Sequence, residues 1–90
     1  MHYSGIVVVA KRSRVEDCQR ELESLPGVEV HYCVPESGRL VVVQETADAE
    51  GQELGLRRIQ ALPMVQLAAL AEHRIDSAMD EDDGLEPQGG

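Results

Sequence analysis

The segment Leu25-Pro26-Gly27-Val28-Glu29-Val30 returns later in the chain as Leu62-Pro63-Met64-Val65-Gln66-Leu67. At both places a stretch of helical spacing stops at Leu-Pro, because proline cannot continue a helix and biases the residue before it toward extended backbone. An alternating stretch then begins at Val. A second echo, Ile6-Val7-Val8-Val9 against Leu40-Val41-Val42-Val43, precedes each copy. Together the echoes divide the chain into two β-α-β halves, and few architectures accommodate that order in so short a chain.

The individual elements follow from local pattern. The β-branched run Ile6 to Ala10 predicts a buried strand over Tyr3 to Lys11. Ser13 and Glu16 have the spacing of a capping box, and Val15, Cys18, Leu22 and Leu25 then recur at helical intervals. Val28 to Cys33 alternates as strand two, which puts Val28, Val30 and Tyr32 on one face. Pro35-Glu36-Ser37-Gly38 is a turn. Strand three covers Leu40 to Val43, extending toward Glu45, and so short a connection makes it antiparallel to strand two. A second helix starts near Thr46 or Asp48 and carries Leu56, Ile59 and Leu62 toward the sheet. Gly51 and Gly55 each cost a helix interior about 1 kcal/mol relative to Ala, so either they permit close packing on the sheet or the helix frays. Met64 to His73 reads as strand four, with Val65, Leu67 and Ala69 opposite Gln66, Ala68 and Leu70. The alanines leave Leu67 to Glu72 open to a helical reading. The order β-α-β-β-α-β with right-handed crossovers gives an α+β, ferredoxin-like fold. Its four-stranded antiparallel sheet has order 4-1-3-2, with both helices on one face.

Ninety residues allow one domain, and its boundary is visible in the charge. The acids Asp76, Asp80, Glu81, Asp82, Asp83 and Glu86 follow Ile75 with no Lys or Arg among them, so most of the formal charge of −9 sits behind residues 1–75. Residues 76–90 also hold Gly84, Pro87, Gly89 and Gly90 and little apolar material, the composition of a disordered, solubilising tail. Without clustered bases or aromatics, nucleic acid is a poor partner. The apolar run Ile6 to Ala10 is too short for an export signal and is followed by Lys11, Arg12 and Arg14. No stretch nears the roughly 20 apolar residues of a membrane span. The expected compartment is the cytoplasm, with Cys18 and Cys33 as reduced thiols.

Catalytic chemistry finds no foothold. No Ser-His-Asp or Cys-His arrangement and no phosphate-cradling glycine motif occurs. Glu16, Asp17, Glu21 and Glu23 form the solvated face of helix one. His31 and Cys33, two apart on a strand, share a face as two metal ligands would, yet His73 lies on the far edge strand and Cys18 on the helix-facing side. No cofactor or metal is expected.

The informative departure is in the central strands. A sheet covered on one side shows polar residues at alternate positions on the other, whereas strands one and three are apolar at every position from Ile6 to Ala10 and from Leu40 to Val43. Whichever parity faces the helices, the other presents valines to solvent, and such a patch marks an interaction surface. A homodimer could cover it. A peptide or protein ligand, on a monomer or weak dimer, suits so short and shallow a sheet better. Gly5, Val7, Val9, Val41 and Val43 are the expected floor, with His31, Cys33, Ala68 and Leu70 at its edges.

Ser4-Gly5-Ile6-Val7-Val8, Leu25-Pro26-Gly27-Val28-Glu29-Val30-His31 and Ser37-Gly38-Arg39-Leu40-Val41-Val42-Val43 together resemble the NapD family, and a looser likeness runs from Ile59 to Ile75. The sequence departs from that pattern at Met64, where the second junction usually has Gly, and at Glu72, where the family tends to have Tyr. The resemblance implies a ferredoxin-like chaperone that binds the twin-arginine signal peptide of a periplasmic nitrate reductase catalytic subunit and delays export until the molybdenum cofactor is in place. The alternative from another class is a ligand-responsive or dimerisation module of the same fold.

Overall fold

A computed structural model describes residues 1–75. Strand β1 spans His2–Ala10, a 3-10 turn Arg12–Arg14 leads into helix α1 (Val15–Ser24), and β2 (Val28–Val34) and β3 (Arg39–Thr46) form a hairpin. Helix α2 (Ala49–Gln60) and strand β4 (Val65–Ile75) complete the chain. The sheet order is β2-β3-β1-β4, every neighbouring pair antiparallel. This is the ferredoxin-like topology expected from the repeat. The segment Leu67 to Glu72 is strand, because β4 pairs with β1 along its length apart from two register shifts. The acidic stretch 76–90 lies outside the described residues.

The repeat has a physical basis at its two junctions. The Val28 amide donates to the Leu25 carbonyl at 3.3 Å, and the Val65 amide donates to the Leu62 carbonyl at 3.0 Å. The same tight turn thus converts each helix into the following strand. The copies differ at the third residue. Gly27 has a φ of 74°, and a Cβ there would run into the Glu45 carbonyl, whereas Met64 needs no left-handed backbone and instead buries its side chain in the core.

Both helices cover one face. Ile6, Val8 and Ala10 of β1 and Leu40 and Val42 of β3 are buried together with Val15, Cys18 and Leu22 of α1 and Ile59 of α2. Leu25, Leu56 and Leu62 pack against this core from its margin. The helical spacing in the sequence selected these residues because each must reach the same sheet face.

Three local expectations are corrected. The Ser13–Glu16 capping box does not form: Ser13 lies within the 3-10 turn, α1 starts later, and its N-cap is Arg14 without a side-chain cap. Glu16 and Asp17 in the first turn favour the positive end of the helix dipole instead. Tyr32 does not share a face with Val28 and Val30, since the β2–β3 register shifts between Val30 and Tyr32. His31 is the extra residue, and everything after it changes side. For the same reason His31 and Cys33 are not a pair on one face: His31 is exposed in the bulge while Cys33 packs against the core.

The glycines of α2 settle as close approach. Asp48 caps the helix, its Oδ1 accepting from the Gly51 amide at 2.7 Å. A Cβ on Gly55 would collide with the buried side-chain amide of Gln44, so this turn of the helix rests directly on the sheet.

Candidate functional site

Strand register fixes what the helix-free face carries, because residues directly opposite one another project to the same side. Ser4, Ile6, Val8 and Ala10 are buried under the helices, so Tyr3, Gly5, Val7 and Val9 face outward. Across the sheet from β2 to β4 the outward rows are Glu29, Val43, Gly5, Glu72; then Tyr32, Val41, Val7, Ala69; then Val34, Arg39, Val9, Leu67. Beyond the first of these, Glu45 and Arg74 flank Tyr3.

The expected floor residues Gly5, Val7, Val9, Val41 and Val43 therefore lie together on the open face. The expected edges divide. His31 is exposed, with its Nε2 3.5 Å from Glu29 Oε1. Cys33, Ala68 and Leu70 are on the wrong side: they stand opposite Leu40, Val8 and Ile6, all buried beneath the helices. Ala68 is in the core, and Leu70 sits at the groove between α2 and β4 beside Leu56 and His73. The open-face edges are instead Tyr32 and Val34 on β2 and Leu67 and Ala69 on β4. Bulges displace β2 by one residue and shift β4 against β1 at two places, so alternation counted from the sequence could not assign them. Polarity gave partial notice, since Leu67 and Tyr32 are large side chains on edge strands, and both are more than half exposed.

The face has two parts. Val7, Val9, Tyr32, Val34, Val41 and Leu67, with Arg39 at the rim, enclose an open hollow of about 490 Å³. At the other end, over Gly5, the missing side chain leaves a notch of about 250 Å³ bounded by Tyr3, Val43, Glu72 and Arg74. The hollow is apolar apart from its rim; the notch is bordered by the Glu72 carboxylate and the Arg74 guanidinium, with Glu29 at the far end of the Gly5 row. Such a surface can bury an extended or helical segment of another chain, and it has no converging set of groups for bond making.

The titratable groups agree with that. Burial foremost, then the neighbouring Cys33 and Glu21, push the Cys18 thiol above its ordinary value, the opposite of what an activated nucleophile needs. His2 Nδ1 and His73 Nε2 approach to 3.1 Å at the far end of the sheet, an exposed pair on the helix side. Among the described residues no group of three or more His, Cys, Asp or Glu is placed to hold a metal ion.

Comparison with known proteins places the architecture. The profile of the NapD protein family matches residues 1–77. The chain belongs to the NapD family. It is 30% identical over 77 residues to proteins named chaperone NapD from Escherichia coli K12 and from Shigella flexneri, spanning 86% of this chain and 88% of each relative. The solution structure of the E. coli Tat proofreading chaperone NapD superposes with a TM-score of 0.76 at 27% identity, covering 98% of this chain and 88% of that one. A hypothetical protein from Pyrococcus horikoshii has the same fold, with a TM-score of 0.73 at 19% identity over 87% of this chain and 94% of its own. Among the described residues of this NapD family member no helix is long and apolar enough to cross a membrane.

Proposed function

We propose that this protein is a chaperone whose helix-free sheet face holds the twin-arginine signal peptide of a periplasmic nitrate reductase catalytic subunit, delaying export until the molybdenum cofactor has been inserted. It acts in the cytoplasm, where the precursor is made, and carries out no chemistry of its own. The observation that carries this reading is the apolar hollow over Val7, Val9 and Val41, on a face that none of the described helices covers. A twin-arginine signal peptide joins a basic end to an apolar stretch. Burial of that stretch contributes about 25 cal/mol per Å² before ordering costs are subtracted, and the acids beside Gly5 act on orientation.

Paired substitutions test the reading. Val7 and Val41 are half-buried on the open face, whereas Val8 is fully buried between them and the helices. Val7→Asp and Val41→Asp leave a carboxylate in water and keep the fold. Val8→Asp buries one without a partner and unfolds the domain. In the folded variants the peptide loses the burial of a valine, about 1.5–3 kcal/mol, and must also desolvate a carboxylate. Calorimetric titration with the signal peptide is expected to show affinity reduced at least about tenfold, given tenfold per 1.4 kcal/mol, at unchanged circular dichroism. Wild-type affinity in both folded variants would remove the sheet face as the site. A tight dimer in sedimentation, dispersed by the same substitutions, would favour the dimerisation module instead.

A further inference from the structure

The open face is electrically polar along β1, and this orders what lies on it. At the Gly5 end, Glu29 and Glu72 stand at opposite ends of one row across the sheet with Val43 and Gly5 between them, and Glu45 flanks Tyr3 in the row beyond. Arg74 lines the notch with its guanidinium, and the His31 imidazole stands beside Glu29. At the hollow end the only charge in the rows is Arg39. Three carboxylates and one guanidinium at one end therefore oppose a lone guanidinium at the other.

Shape reinforces charge. Gly5 is the floor of the acidic row, and a Cβ built there meets only the Glu72 Cβ, at 3.7 Å, an ordinary contact. The notch is therefore open space that the fold does not need empty. Glycine in a strand interior weakens it and often marks a close approach by another chain or ligand. With Glu29 and Glu72 about three interstrand spacings apart, on the order of 14 Å between backbones, a cationic side chain can enter between them and reach the sheet surface.

Resting on the peptide-binding reading above, we infer that the face fixes the direction of its ligand: the basic end of the bound segment sits in the Gly5 notch between Glu29 and Glu72, and the apolar stretch runs along β1 into the hollow over Val7, Val9, Tyr32 and Leu67. In the reverse arrangement the basic end meets Arg39 with no carboxylate in the row to offset it, whereas at the notch Glu72, Glu29 and Glu45 outnumber Arg74. Glu29 and Glu72 are thus specificity residues, reading charge at a defined place, while the hollow supplies strength that any apolar segment could use.

The test uses the full chain and a synthetic peptide with two adjacent arginines at one end followed by an uncharged leucine- and alanine-rich stretch. A nitroxide on the arginine end is expected to broaden the backbone amide resonances of Gly5 and Val43 and to spare those of Val9 and Leu67. Glu29→Gln/Glu72→Gln is expected to weaken this peptide about tenfold at low salt, where exposed charges are least screened, and to leave a peptide with both arginines replaced by glutamine unaffected. Gly5→Val, which fills the notch on a strand that tolerates valine, is expected to act in the same direction. Broadening centred on Val9 and Leu67, or an unchanged affinity of the double variant for the arginine peptide, overturns the orientation and leaves the peptide-binding reading standing. Failure of the wild-type protein to bind, or wild-type affinity in both Val7→Asp and Val41→Asp, removes both.

Discussion

Gly55→Ala should destabilise this protein although it places a better helix former inside a helix. On propensity alone the change favours folding by about 1 kcal/mol. The space for the new methyl is occupied, however, by the side-chain amide of Gln44, which is 2% exposed and whose Nε2 donates to the Gln52 carbonyl at 3.2 Å. Gln52 is tied into the same knot, donating from its own Nε2 to Thr46 Oγ1 at 2.7 Å and to the His2 carbonyl at 3.0 Å. Displacing Gln44 costs its hydrogen bond, about 1 kcal/mol, and overpacking adds about 1–3 kcal/mol. The net loss is about 1–3 kcal/mol, and at about 4–8 °C per kcal/mol for a domain of this size the thermal midpoint should fall by roughly 4–24 °C. The control is the same substitution in a Gln44→Ala background, where the obstacle is gone and Gly55→Ala should stabilise by about 1 kcal/mol. Midpoints by circular dichroism for the four proteins give the coupling between the two positions. A raised midpoint for Gly55→Ala in the otherwise wild-type chain would refute the close approach of α2 to the sheet.

Two further outcomes follow from single residues. Gly27→Ala should lower stability by about 2 kcal/mol or more in chemical denaturation, because its φ of 74° disfavours any side chain and the Cβ meets the Glu45 carbonyl; an unchanged midpoint would argue against that turn. The Cys18 thiol, raised by burial, holds its proton more tightly folded than unfolded, so its contribution to stability is full below the ordinary thiol value and is lost as pH rises through the folded value. Stability should therefore decline on the alkaline side in wild type and less so in Cys18→Ala, and a thiol reagent should modify Cys33 while native Cys18 resists.

The fold was legible in the sequence because its determinants are local and repeated. Leu-Pro stops a helix wherever it occurs, β-branched runs favour extended chain, and the twofold recurrence of both leaves essentially one right-handed arrangement. The open-face valines were legible for a different reason. Strands one and three are apolar at both parities, so some valines had to face outward whichever set the helices took, and Val7, Val9, Val41 and Val43 are the ones that do. The Ser13–Glu16 spacing misled because a capping box requires Ser13 to sit immediately before the helix, and the 3-10 turn Arg12–Arg14 occupies that place.

The edges of the face were not legible, and the reason is register rather than composition. Alternation counts residues within one strand, while the side a residue faces is decided by its partner on the next strand, and a bulge separates the two counts. At His31 the extra residue turns Tyr32 and Val34 outward to wall the hollow and turns Cys33 inward to the core. On β4 the register shifts between the partners of Gly5 and Ile6: Leu70 stands opposite Ile6, Glu72 opposite Gly5, and Ala71 is left over. Were Ala71 instead paired with Gly5 in an unbroken ladder, Glu72 would share the helix side with Leu70, and the notch would lose its carboxylate. Both irregularities fall on edge strands, where one lost backbone bond is readily compensated by water and bulges are commonest. The central strands carry the apolar floor, which tolerates no shift; the edge strands carry the walls and the charge, which depend on one. Residues that distinguish one ligand from another are thus concentrated where pattern reading from sequence is weakest, and deleting His31 should turn the β2–β3 ladder regular and keep Tyr32 opposite Val41 on the open face, so that the Tyr32–Val41 cross-strand contact persists in nuclear magnetic resonance; its loss would refute the assignment of His31 as the extra residue.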